Sequence, residues 1–226
     1  LGASRSFAPT PINGGGGPIC RPRLTARAGD VRTTAMDAAT ELPVLMALRV
    51  RGCADAAQVA RAAGCAEAEA VALLARVQAR GAAASVAGSA PGALSLTATG
   101  RGELTRLLAA EPLDRVALTT LYDRFLVVDR DLKQAITAWQ LADPATRDDT
   151  SAALARVATA AGALAAALTP IAPRLAPYHG RIAVAVGAIT SGDTRFVVSP
   201  RVDSLHQIWF ELHEDLLVTL GRSRAA

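Results

Sequence analysis

Aromatic side chains make up only 4% of this 226-residue chain, although 51% of it is hydrophobic and alanine is abundant. A core so short of rings must be built from closely packed helices that carry small side chains. Cysteine is scarce too. Cys20, Cys53 and Cys65 show no metal-ligand spacing and are odd in number, which excludes a disulfide framework and fits reduced thiols in a cytosol. There is no Gly-x-Ser-x-Gly elbow, and glycines 14–17 have neither a strand before them nor a Lys-Ser/Thr after them, so no phosphate loop is formed. No catalytic residue, cofactor or metal is therefore expected, and the chain reads as a non-enzymatic, cytoplasmic protein. Long apolar runs are also missing: 157–172 is short, mostly alanine and interrupted by Pro170, so no membrane span is expected.

The charge is basic in total but not in distribution. Formal net charge is +4, and Arg5, Arg21, Arg23, Arg27 and Arg32 against Asp30 account for all of that surplus within 1–36. The same stretch holds four consecutive glycines, prolines 9, 11, 18 and 22, and no apolar run of signal-peptide length. Residues 1–36 read as a disordered leader, or as a start upstream of translation at Met36. The alternative is a flexible basic arm that touches DNA.

Residues 37–110 carry three glycine-punctuated elements in order. A helix ends near ALRVRG, a second helix (DAAQVARAAG) stops at Gly64, and a third (67–80) stops at Gly81. Glycine just past the last periodic position is the usual helix stop, since it enters the left-handed region without a Cβ clash. Two short strands folded back at Ser89-Ala90-Pro91-Gly92 follow, and then a helix opens near Thr99-Gly100-Arg101. This is the order of a winged helix-turn-helix. Residues 111–226 hold four or five helices and no strand signal; helices are expected to open at Glu111-Pro112, near Ser151, near Pro177 and near Pro200, with proline at 170, 173 and 177 marking a bend. The expected fold class is mainly α, a winged helix-turn-helix domain followed by an all-α bundle.

The last helix holds the most chemistry. Leu205, Trp209, Leu212, Leu216 and Leu220 form one apolar stripe, and His206, Phe210, His213 and Leu217 a second beside it. A face that wide packs on two sides. Three readings of the histidines stand: hydrogen-bonded structural groups, the lining of a ligand pocket, or metal ligands. The third is disfavoured, because residues seven apart lie about 10.5 Å apart along the axis. The pocket reading takes His206, Trp209, Phe210 and His213, with Tyr122 and Arg130 from the first bundle helix, as candidate ligand-binding residues.

Residues 41–108, ending in SLTATGRGELTRLL, resemble the DNA-binding domain of bacterial winged-helix regulators of the MarR and GntR types. The helical half lacks a clear form of the Asp/His metal-ligand set of the larger GntR-type sensor domains. Its segments LYDRFLVVDRDLKQAITAWQL and SPRVDSLHQIWFELHEDLL resemble a helical module of actinobacterial phosphoenolpyruvate-utilising, pyruvate phosphate dikinase-like proteins, without their phosphotransfer machinery. The first resemblance implies a homodimeric transcriptional regulator that binds DNA and senses a small-molecule effector. The second implies a non-catalytic winged-helix interaction module partnering such an enzyme. For DNA, the third helix would enter the major groove, with Arg76, Gln78 and Arg80 in its later turns and Arg49, Arg51, Arg61 and Arg101 at phosphates. Glu67 and Glu69 at its start oppose phosphate. The wing tip has no arginine, and seven basic against five acidic residues over 41–110 is a thin surplus.

Overall fold

The computed structural model describes residues 28–223, with side chains from residue 40 onward. The chain is mainly helical. Helix α1 (Ala28–Arg51) is followed by α2 (Ala56–Ala63), α3 (Glu67–Ala79), the strands β1 (Ala83–Ser85) and β2 (Leu94–Leu96), and α4 (Ala98–Ala110). The second half comprises α5 (Arg115–Leu141), α6 (Arg147–Leu168), a 3₁₀ turn at Pro173–Leu175, α7 (Ala176–Thr190), the single-turn α8 (Arg195–Val198) and α9 (Leu205–Leu220).

Local chemistry explains most of the boundaries. Asp55 and Gln58 form a reciprocal capping box at the start of α2: the Gln58 amide donates to the Asp55 carboxylate at 2.8 Å and the Asp55 amide to the Gln58 side chain at 3.0 Å. Gly64 ends α2 at φ +72°, and a Cβ built there would lie 2.6 Å from Cγ of Pro177 at the start of α7. That position needs glycine twice, for its backbone and for the contact between the halves. The strands pair antiparallel with Ala83 opposite Leu96, and Ala54 adds a bridge to Leu94 through hydrogen bonds of 3.0 and 2.9 Å. Thr97 caps α4 by accepting from the Gly100 amide, while Gly100 rests against the carbonyl of Ala82 so closely that a Cβ would lie 2.0 Å from it.

Two apolar clusters result. One is built from α1 to α4 and the hairpin, around Leu45, Met46, Leu48, Val59, Leu74, Val77, Leu94 and Leu104. The other fills the bundle around Leu118, Phe125, Leu132, Leu154, Leu168, Ile182, Ile208 and Leu212. Helix α1 is buried on almost every side along 41–50, because it packs on α2, α4 and β2 and also meets α9. Helix α9 is equally enclosed, between α1, α5, α7 and α8.

Several sequence expectations shift. Helix α1 begins at Ala28, upstream of Met36, so 28–36 is helical backbone; the rest of the leader reading, 1–27, lies outside the described residues. Helix α5 starts at Arg115 and not at Glu111-Pro112. Glu111 is extended (ψ 125°), as the residue before proline favours, and the Asp114 carboxylate caps Val116 and Ala117 instead. Helix α9 starts at Leu205, after Ser204, where 200 was expected. Helix α6 begins at Arg147, since Asp143 accepts from the amides of Ala145 and Thr146 and turns the chain early. It therefore reaches 22 residues with a mean hydropathy of 1.5 over its most apolar window, which is long and apolar enough to cross a membrane by length and composition. Leu154, Ala158, Ala161, Leu164 and Leu168 pack inward, and α6 lies against α5 and α7.

Candidate functional site between the two halves

Of the residues anticipated around α9, Tyr122, Trp209 and His213 lie together, joined by Phe125, which was not among them. Phe125 stacks on Trp209 with centroids 4.4 Å apart and on Tyr122 at 6.0 Å, and the Tyr122 hydroxyl meets Nε2 of His213 at 3.2 Å. Trp209 Nε1 donates to Asp129 at 3.1 Å, and Lys133 pairs with the other oxygen of that carboxylate at 2.7 Å. These groups are largely packed and hydrogen-bonded. The space they leave beside His206, Phe210 and His213 is about 30 Å³, on the scale of ordered water and not of a metabolite. His206 is exposed, Phe210 is 40% exposed, and Arg130 lies outside this cluster, paired with its neighbour Asp131 at 3.2 Å. Among the described residues no group of three or more His, Cys, Asp or Glu is placed to hold a metal ion.

Two buried charge clusters tie the elements together, and both involve α9. In the first, Glu211 is fully buried and accepts from Arg51 of α1 at 2.8 Å, Arg181 of α7 at 2.8 Å and Gln207 at 2.9 Å. Arg181 also grips Asp203 with two 2.7 Å bonds. Burial pushes the Asp203 carboxyl up, but Arg181, with Arg51 and Arg61 behind it, outweighs that and holds it below the usual carboxylate range. In the second cluster, Arg174 spans Glu111 at 2.9 Å and Asp215 at 2.6 Å and also bonds Thr219. Tyr178 donates to Asp215 at 3.2 Å. Burial, reinforced by Asp215 and Glu211, lifts the Tyr178 hydroxyl well above its ordinary value.

Sequence reasoning missed Arg174, Arg181 and Asp215. A signal existed for one of them: Asp215 is four residues from Glu211, so the two carboxylates share a face of the leucine-rich α9. Charged residues at core spacing ask for partners.

The arginines assigned to DNA are distributed differently from one another. Arg49 and Arg61 are exposed. Arg51 has a side chain only 12% exposed and is committed to Glu211. Arg76 reaches back to Glu41 of α1 at 2.9 Å, and Arg80 pairs with both Glu41 at 2.8 Å and Glu103 of α4 at 3.0 Å. Burial disfavours the Arg80 charge, but Glu103 and Glu41 more than restore it. Arg101 donates to the carbonyl of Leu96 at 3.1 Å. The exposed surface of α3 carries Glu67, Ala68, Glu69, Val71, Ala72, Ala75, Gln78 and Ala79 beside the half-exposed Arg76, and Val71 is 53% exposed. Glu67, Val71, Ala75 and Gln78 line a depression of about 510 Å³ with Asp55 and Pro91.

A larger groove, about 860 Å³, opens where the two halves meet. Arg51 and Arg61 line it from the first half, and Phe196, Arg201, His206 and Phe210 from the second. Neither Arg61 nor Arg201 makes a side-chain ion pair or hydrogen bond among the described residues, and both are exposed. The arrangement can recognise charge and hold a ring. No family model, curated protein or solved structure matches the chain.

Proposed function

We propose that the chain is a non-catalytic interaction module of winged-helix type, in which the outward face of α3 docks a protein partner. The observation that supports this is the pairing of Arg76 and Arg80 with Glu41 and Glu103. With both cations matched by carboxylates, and Arg76 still half exposed, α3 presents two acids, a string of alanines and the exposed Val71. That surface suits apolar contact with a protein better than contact with phosphate, which is bound by clustered arginine and lysine. The resemblance of the helical half points to a phosphoenolpyruvate-utilising enzyme as the partner. The setting proposed is the cytoplasm, where thiols such as Cys53 and Cys65 stay reduced.

The test is direct association with a purified phosphoenolpyruvate-utilising enzyme from the same organism, measured by calorimetry. Val71→Asp should abolish the heat of binding while leaving the melting temperature in place. Absence of binding by the parent chain would refute the partner assignment. A second reading, a homodimeric DNA-binding transcriptional regulator of MarR or GntR type, draws on the order of three helices and a hairpin and on exposed Arg49, Arg61 and Arg101. Retention of duplex DNA at low salt, lost on Arg49→Ala or Arg101→Ala, would favour it over the first.

A further inference from the structure

The groove between the halves has the size, charge and lining of a small-molecule site. Its volume, about 860 Å³, lies within the range of ligand pockets, which run to roughly 1,000 Å³. It does not depend on what α3 contacts. Arg61 of α2 shares the lining with Arg201, His206 and the rings of Phe196 and Phe210 from the second half. The single carboxylate that lines it, Asp203, is already held by the two-pronged contact of Arg181, and Glu211 behind it is shared by Arg51 and Arg181. Arg61 adds its field to that on Asp203, but neither it nor Arg201 makes an ion pair or side-chain hydrogen bond among the described residues.

We infer that this groove binds a small organic anion with an aromatic body, its carboxylate held between Arg61 and Arg201 and its ring against Phe196 and Phe210. Guanidinium forks match a carboxylate in plane, and an aromatic ring fills apolar wall that water would otherwise cover. Because the two arginines belong to different halves, an occupant bridges α2 to the segment preceding α9. It therefore stabilises the arrangement of the halves seen here over any other.

The probe is 2-naphthoate, titrated calorimetrically into the full chain, with neutral 2-naphthamide and inorganic phosphate as separate arms. Saturable binding of naphthoate is expected, weakened about tenfold or more for each of the other two, since each lacks one half of the recognition. Arg61→Ala and Arg201→Ala, both at exposed positions, should each weaken naphthoate by a similar factor without changing the melting temperature of the free protein. Peptide mapping after alkylation should show naphthoate protecting Cys53, which lines the groove, and not Cys65. Equal binding of naphthamide would overturn the charge assignment, and equal binding of phosphate would overturn the aromatic one. Unchanged affinity in both arginine variants, or no saturable binding at all, would remove the site.

Discussion

Replacing Glu211 with leucine tests whether the two halves are locked by buried charge. Glu211 has no exposed surface and accepts from Arg51, Arg181 and Gln207. After Glu211→Leu, Arg181 keeps both of its 2.7 Å bonds to Asp203. Arg51 does not fare so well. Its remaining carboxylate is Asp203 at 3.8 Å, and its side chain is only 12% exposed. The orphaned cation is therefore Arg51, and breaking one partner out of a buried pair costs about 3–5 kcal/mol. For a chain of this length each kcal/mol lowers the melting temperature by about 2–4 °C, so a fall of about 6–20 °C is expected. The structure makes a sharper claim about the double variant. Arg51→Met with Glu211→Leu removes both the orphan and its lost acceptor, so it should be more stable than Glu211→Leu alone. Urea titration of the parent, both single variants and the double variant gives the coupling directly. A loss below about 1 kcal/mol for Glu211→Leu, or simple additivity in the double variant, would refute the argument.

Leu212 lies on the fully buried stripe of α9, and Leu212→Ala should cost about 2–5 kcal/mol in urea denaturation. Gly100→Ala should cost about 1–3 kcal/mol or more, because the new methyl meets the Ala82 carbonyl, a backbone atom that cannot swing aside; a thermal melt matching the parent would contradict that contact. Tyr178, whose hydroxyl is raised well above its ordinary value of 10.0, contributes stability that is complete below that value and is lost as pH climbs through the higher folded one. Tyr178→Phe should lose about 1 kcal/mol at neutral pH with the bond to Asp215 and then resist alkali better than the parent, which urea midpoints across that range would show.

What the sequence determined by itself is carried by groups within a turn or two of one another. Gly64 stops α2, Asp55 and Gln58 cap it, and Gly88 to Gly92 fold the hairpin, because each effect depends only on nearby backbone. The stripe of Leu205, Trp209, Leu212 and Leu216 was legible for the same reason, since helical spacing alone puts those residues on one face. Where helices began was less legible at α1, α5, α6 and α9, because a proline, an Asx turn or a favourable stretch upstream moves a start by several residues.

Only the tertiary structure decided where the charges went. Arg80 meets Glu41 from 39 residues away and Glu103 from 23, Arg181 meets Glu211 across 30, and Arg174 meets Asp215 across 41. No periodicity within a helix encodes such a choice. A basic residue on α3 looks the same in the sequence whether it is free in solvent or paired with a carboxylate on α1. The same holds for the histidines of α9: His213 is enclosed by Tyr122 and Phe125 while His206, seven residues earlier, lies open on a groove whose opposite wall belongs to α2. Packing of one half against the other, driven by burial of α9 and of residues 41–50 of α1 on most of their surface, made that groove, and its lining comes from both halves.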